Sequence, residues 1–483
     1  MTPDPATLAK AIADTQNALN IVWTLVAGFL VMFMQAGFAL VETGLTRAKN
    51  VAHTMGMNFL VYSLGMLSFW AVGFGLQMGG VGALTTLGGD TVLSHEYTVA
   101  IAGNSYGLFG MEGFFLSSAL LTPGIATLFL FQMVFMDTAA TIPTGAMAER
   151  WKFASFCFFS LLVGGLIYPV YANWVWGGGW LSGLGRTHGL GHGHVDFAGS
   201  SVVHLTGGVS ALVGARMLGP RIGKFAPDGA PRAIPGHNVP MAVLGTFVLA
   251  FGWFGFNAGS TLSGTDTRIA IVAVNTMLAS AAGAVSACVY VWKSWGRPDV
   301  TMMCNGMLAG LVAVTAPCAF ISPTAAVVVG SVSGVLVVVA TRFVEEKLRI
   351  DDPVGAIAVH GFNGLWGIVA LGLFANGTYG DGINGISGGV RGLFYGDSGQ
   401  LAAGLVGILA NTVWVGLTTA CSLWVLDRLV GNRSDPEDEI AGLDVPEIGI
   451  EGYSREMLGL SPGQGPSLEA QVMTDTTQAR LLR

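Results

Sequence analysis

DFAGSSVVH (196–204) and DPVGAIAVH (352–360) share one pattern: an aspartate, an apolar run, and a histidine eight residues after the aspartate. Aspartate accepts hydrogen bonds from the unpaired N–H groups of a first helical turn, and Pro353 suits the first helical position. Both stretches therefore read as capped helix starts. Eight residues of helix carry each histidine about 12 Å along the axis. What that depth means depends on the medium around the helices.

The rest of the chain supplies the medium. Of 483 residues, 52% are hydrophobic and only 11% charged, where a soluble domain carries about 25% charge. Apolar runs long enough to cross a hydrocarbon core of about 30 Å recur throughout. They fall at roughly 21–43, 54–80, 114–146, 153–176, 197–218, 239–260, 269–292, 302–320, 322–341, 354–375 and 400–427. The 71 glycines suit membrane helices, which small residues allow to approach closely. This composition excludes a soluble enzyme, a disordered chain and a nucleic-acid binder. Cys157, Cys288, Cys304, Cys318 and Cys421 sit in apolar segments without metal-ligand spacing and imply no disulfide. The first residues, MTPDPATLAKAIADTQNALN, lack the basic start and early apolar run of a signal peptide.

Charge sets the expected topology. With the N-terminus outside, 18 of the 22 basic residues fall in inner loops or the tail, leaving Lys10, Arg186, Arg268 and Arg391 outside. That asymmetry predicts an N-out, C-in chain with an odd number of spans. Span five then enters from outside and span ten from inside, so His204 and His360 arrive from opposite faces within roughly 6 Å of the same depth. The expected fold is an all-α polytopic membrane protein of eleven transmembrane helices, a 5+5 inverted repeat plus one extra helix, with its transport site between the repeats. The expected parts are an external N-terminus (1–20), a transmembrane domain (21–428) and an acidic cytoplasmic tail (429–483). Within the domain, repeat one covers about 21–218, repeat two about 239–375 and the extra helix about 400–427. The external segment 81–113 reads as a loop. Residues 431–483 hold ten acids and four bases, which reads as a solvated extension or a docking surface, and the last twenty or so read as disordered.

Ionisable residues inside a membrane are functional candidates by default. Two imidazoles in a dry pore cannot both be charged cheaply, since desolvation and mutual repulsion oppose it. A neutral or singly protonated pair suits a small molecule that donates and accepts hydrogen bonds, or a proton relay. It suits a metal poorly, because no third ligand joins it. Asp196 and Asp352 are explained by capping, and Asp196 also places negative potential near an outer cation site. Phe131 and Phe135 lie four apart on span three, Trp176 ends span four in NWVWGGGW, and Phe256 and Ser260 lie four apart on span six. Aromatic faces attract a weakly hydrated cation, and a serine oxygen accepts a hydrogen bond from it. Ordinary helix packing explains any one of these residues as well. A cation that sheds a proton reconciles aromatics outside with neutral histidines inside, and ammonium is that cation.

With these residues in place, the chain resembles the ammonium transporter family (the Amt/Mep/Rh superfamily) from about residue 20 to 453. The matching stretches are MQAGFALVETGLTRAKN (34–50), GAMAERWKF (145–153), NWVWGGGWL (173–181), DFAGSSVVHLTGGVSALVGA (196–215), HNVPMAVLGTFVLAFGWFGFNAGS (237–260) and DDPVGAIAVHGFNGLWGIVA (351–370). The resemblance implies a homotrimer in the cell (inner) membrane with one pore per subunit, no cofactor and no enzymatic activity. It implies an outer ammonium site at Phe131, Trp176 and Ser260, a phenylalanine gate of Phe135 and Phe256, and twin pore histidines His204 and His360. Asp196 would support recruitment and deprotonation of ammonium. Ammonia would then cross the lumen, and the proton would follow through the histidine pair, giving net uptake. Trp176 with Ser260 favours the Amt branch.

Three features depart from or add to that pattern. GLDVPEIGIEGY (442–453) keeps Gly442, Leu443, Asp444 and Tyr453 but has Ile448 where the family's tail often has histidine. Asp137 lies mid-span with no family role, expected to bond Thr138, Thr141 or a neighbouring helix or else to tune a proton path. His188, His192 and His194 read as a solvated outer loop, with weak metal binding as the alternative. A P-II type signal protein at the cytoplasmic face is the implied regulatory partner. An ammonium sensor and a passive channel for neutral ammonia are the competing functions. The acidic tail is too short for an appended signalling domain, and sequence does not separate a channel from net cation transport.

Overall fold

The computed structural model describes residues 4–89, 92–382 and 386–454; the expected disorder of the last twenty residues lies outside them. Eleven apolar helices form the body: α1 (Pro5–Leu45), α2 (Ala48–Met78), α3 (Pro123–Met147), α4 (Phe153–Trp176), α5 (Ser200–Leu218), α6 (Val239–Ala258), α7 (Arg268–Trp295), α8 (Val300–Val314), α9 (Pro323–Lys347), α10 (Ile357–Phe374) and α11 (Ser398–Leu429). Ten of the helices among the described residues are long and apolar enough to cross a membrane, and α8 is the shorter one. At 15 residues it reaches only about 22 Å; the chain turns at 315–320, where the apolar pattern continues without helix. Helix α1 begins at Pro5, so residues 5–20 are helical and largely exposed.

Local sequence explains where helices begin. Thr122, Asn238, Asp299, Ser322 and Asp397 each accept a hydrogen bond from a first-turn N–H, and a proline follows within two residues in three of the five. Helix α3 lies at the centre, buried almost throughout, with α1, α2 and α5 packed on it. Outward faces are apolar: Phe29 and Phe33 on α1, Phe247 and Phe251 on α6, and Leu405, Leu409 and Leu417 on α11 are all exposed. Lipid is the solvent such faces fit, because every backbone group is already paired within its helix. On α7, α8 and α9 the close approach rests on glycine. A Cβ on Gly310 would fall 2.2 Å from the Ala279 carbonyl oxygen, and one on Gly330 2.1 Å from the same oxygen.

The expected loop at 81–113 contains an antiparallel hairpin, β1 (Glu96–Ile101) and β2 (Asn104–Gly110), paired from Glu96↔Gly110 to Ile101↔Asn104. Ala102 and Gly103 both have positive φ, the geometry of a two-residue hairpin turn. Tyr97 and Phe109 stack across the strands with ring centroids 5.0 Å apart. This hairpin marks one face of the helical body.

The opposite face is held by charge and by the tail. Arg221 lies between Glu149 (3.0 Å) and Asp351 (2.8 Å), all three buried, and Arg47 pairs with Glu149. Burial alone would raise the Asp351 carboxyl, but the hydrogen bonds and charge of Arg221 hold it well below the usual carboxylate range. The acidic tail is docked over residues 432–453 rather than solvated. Glu439 is buried and accepts hydrogen bonds from the Ile222 N–H and from Arg433. Asp444 accepts from the His53 and Gly452 N–H groups, and Tyr453 bonds His237. Ile448 packs near Gly56, an apolar contact.

Candidate functional site

The two aspartate–histidine stretches fold alike. Each aspartate is followed three residues later by a glycine with positive φ, Gly199 at 120° and Gly355 at 79°, which turns the chain into its helix. Each helix then opens with a π-helical turn, Ser200–Leu205 in α5 and Ile357–Phe362 in α10, and each turn carries its histidine. Such wide turns recur where helices carry function. Asp196 accepts hydrogen bonds from the N–H groups of Gly199, Ser200, Ser201 and Val202 and from the Ser201 hydroxyl. Asp352 accepts from the N–H groups of Gly355 and Ile357. Both expected caps are present.

Helices α5 and α10 meet at Gly208 and Gly361, where a Cβ on Gly208 would fall 2.3 Å from the Gly361 Cα. That contact brings His204, one turn before Gly208, against His360, which directly precedes Gly361. His204 Nδ1 and His360 Nδ1 lie 3.2 Å apart, with ring centroids separated by 5.2 Å. One nitrogen donates and the other accepts, so the pair shares a single proton between facing rings. Both histidines are buried, and His204 Nε2 has no protein partner.

Aromatic rings extend this pair toward the hairpin face. The His204 ring stacks on Phe256 at 5.4 Å and on Trp253 at 5.3 Å. Phe256 stacks on Phe135 at 4.2 Å, Phe135 touches Phe131 at 4.6 Å, and Trp176 stands edge-on to Phe135 at 5.9 Å. The Trp176 indole N–H donates to the Asp196 carbonyl oxygen at 2.7 Å, tying the outermost ring to the capping loop. Ser260, one turn beyond Phe256, donates its hydroxyl hydrogen to the Phe256 carbonyl, which leaves the oxygen free to accept. Phe131, Phe135, Trp176, Phe256, His204 and His360 thus form one column.

Other expectations come out differently. His192 and His194 are buried, not solvated, and only His188 is exposed. His194 reaches the Ser201 hydroxyl at 2.9 Å, directly behind Asp196, and His192 pairs with Asp381. No group of three metal-ligating side chains exists among the described residues. Thr138 and Thr141 donate to the Val134 and Asp137 backbone carbonyls, and Thr141 also reaches Gln35, so neither bonds the Asp137 side chain. Asp137 Oδ1 is buried without a partner. Trp253, Phe38 and Ser201 belong to the site but carried no role in the sequence reading. Phe38 faces His360 at 6.1 Å, continuing the column toward the tail face.

Comparison with known proteins identifies the family of the whole chain. Residues 22–453 match the Ammonium Transporter Family. The chain is 46% identical over 452 residues to ammonium transporter Amt2 of Archaeoglobus fulgidus, covering 93% of this chain and 91% of that one. Among solved structures it resembles one described as a sensor Amt protein, with TM-score 0.78 and 35% identity over 90% of this chain and 99% of the other. It also resembles Mep2 of Candida albicans, with TM-score 0.74 and 26% identity over 95% of each chain.

Proposed function

The chain belongs to the ammonium transporter family, on its Amt branch, and we propose that it takes up ammonium along the aromatic–histidine column. It is an ammonium transporter of the multi-pass membrane class, not an enzyme. The reading places the hairpin face outside and the tail face in the cytoplasm of the cell membrane, with α8 completing eleven spans and α1–α5 and α6–α10 as inverted repeats. Basic residues concentrated toward the tail face support that orientation. One pore per subunit in a homotrimer, and a P-II type partner at the tail face, complete the reading.

In this reading ammonium meets Trp176, Phe131 and the Ser260 oxygen, and the Phe135–Phe256 stack shuts the entrance to hydrated ions. A cation over aromatic faces, with water excluded, gains about 2 kcal/mol. Asp196 is saturated by five donors, so it acts through its field and by holding Trp176 in place, not by touching substrate. Ammonium gives up its proton toward the histidine pair, and beyond the stack neutral ammonia meets His204 Nε2, which can donate to it or accept from it. The shared proton between His204 and His360 supplies the route for charge. The observation that carries this reading is the 3.2 Å contact between two Nδ1 atoms directly beneath the phenylalanine stack.

Ammonium-evoked current in proteoliposomes tests it. A saturable current with ammonium and none with potassium is expected. His204→Ala and His360→Ala should each abolish the current or the discrimination against potassium. Unchanged flux and selectivity in both variants would overturn the pore assignment. The likeness to a sensor Amt protein favours a second reading, ligand sensing without transport. Binding of ammonium with neither current nor ammonia flux would select it.

A further inference from the structure

Below His360 lies a small pocket of about 20 Å³, lined by residues including Phe38, Leu249, Asn305, Val354, His360 and Glu42. Glu42 lies one helical turn beyond Phe38 on the same face of α1, about 6 Å further toward the tail face. The Phe38 ring faces His360, and Glu42 is the acidic residue that shares this pocket with His360. It is buried, with 3% exposure, in a stretch (ALVETGL) that is otherwise uncharged. A buried acid in such a place is costly unless its partners compensate or its charge is used.

Its partners suit both protonation states. The Asn58 side-chain amide donates to Oε2 at 2.7 Å. The Thr144 hydroxyl oxygen lies 2.8 Å from Oε1, 2.7 Å from Oε2 and 2.5 Å from the Thr141 carbonyl oxygen. A hydroxyl has one hydrogen and accepts through its lone pairs. With Glu42 charged, Thr144 donates to the carboxylate. With Glu42 protonated, the acid donates to the Thr144 oxygen, and Thr144 turns its hydrogen to the Thr141 carbonyl. No group is left unpaired in either state. A purely structural carboxylate needs only the first arrangement. The charge that acts on Glu42 is the Asp352 carboxylate at the start of the α10 segment, and the titratable group sharing its pocket is His360.

We infer that Glu42 receives the transported proton below the histidine pair and returns it to ammonia before release. This rests on the reading that ammonium is deprotonated near the hairpin face and that its proton crosses His204 and His360. In the first step the N–H bond of the His360 imidazolium breaks and an O–H bond forms on Glu42, leaving a neutral imidazole and a carboxylic acid. Ammonia or a water in the pocket bridges the two groups. In the second step that O–H bond breaks and a fourth N–H bond forms on ammonia. Ammonium leaves toward the tail face and Glu42 is again a carboxylate.

Glu42→Gln keeps shape and hydrogen bonding but cannot carry a proton. In proteoliposomes, ammonium-evoked current and ammonia-driven luminal pH change are measured on the same preparation. Glu42→Gln should lower the ratio of current to ammonia flux at least tenfold, and Glu42→Asp should recover it to within about threefold of the unmodified protein. A structural role would reduce both signals together and leave the ratio unmoved, which would overturn the inference. An unmodified protein that passes ammonia without current would overturn the underlying reading with it. A normal current in Glu42→Gln would overturn this assignment alone. Should Glu42→Gln not assemble, infrared difference spectra of the unmodified protein carrying isotope-labelled glutamate give the same decision. An ammonium-dependent carboxylic-acid band supports the inference, and its absence overturns it.

Discussion

The two segments that deliver the histidines are alike in backbone and unlike in supply. Each has an aspartate, a glycine with positive φ and a π-helical turn, but Asp196 receives five hydrogen bonds where Asp352 receives two. His204 is walled by Trp253 and Phe256, whereas His360 opens onto the pocket that holds Glu42. The same local device thus serves an aromatic half and a more polar half. Donor supply, more than the presence of a carboxylate, separates an acid that only holds structure from one free to exchange protons.

The harshest way to break the comparison is to remove the two aspartates. Asp196→Ala strands four buried N–H groups, each at about 1–3 kcal/mol, so a loss of at least ~4 kcal/mol is expected. Asp352→Ala strands two N–H groups, and about half that loss is expected. Thermal or denaturant unfolding in detergent measures both. Equal losses would show that donor count does not describe the difference. In proteoliposomes, Asp196→Ala should also abolish uptake through displacement of Trp176, whose indole rests on the same loop.

Much of this was legible before any coordinates. Two aspartates, each eight residues before a histidine, in spans expected to run in opposite directions, were enough to anticipate that the histidines meet. Spacing of Phe131 with Phe135 and Phe256 with Ser260 allowed both a cation site and plain packing, and only the rings' stacking into one column joins them. The hairpin was missed because its turn residues, Ala102 and Gly103, are not the usual Asn-Gly signal. His192 and His194 were misread because Gly-His-Gly-His resembles a solvated loop. Their burial comes from α11 and α4, distant in sequence, through Gln400, Gly407 and Tyr171. Glu42 did carry a signal, since a lone acid in an apolar span is a functional candidate. Within MQAGFALVETGLTRAKN that signal is indistinct, because the whole stretch carries the family resemblance.

A milder test keeps the backbone and changes the aromatic half. Trp176→Leu removes the largest aromatic face from the hairpin side while retaining an apolar side chain. Loss of about 2 kcal/mol of cation–π attraction corresponds to roughly 30-fold weaker apparent affinity for ammonium. The concentration dependence of the current measures it. An unmoved saturation curve would place the outer site elsewhere on that face.

The smallest effect tests donor supply on a third carboxylate. Glu96, at the start of β1, is half-buried beside Asn173 of α4, and its Oε1 has no hydrogen-bond partner. Burial pushes its pKa from 4.5 up to about 7, against the lowering effect of the Asn173 amide. The folded protein therefore holds a proton between about pH 4.5 and 7 that the unfolded chain has released, so stability falls as pH rises through that window and levels off above it. Glu96→Gln should remove this dependence, which a difference in thermal midpoint between pH 5 and pH 7.5, variant against unmodified protein, would measure as a shift of about a degree or two. If Glu96→Gln leaves the slope intact, the carboxylate with the missing donor is not the one that titrates, and donor supply fails as the rule that separates these acids.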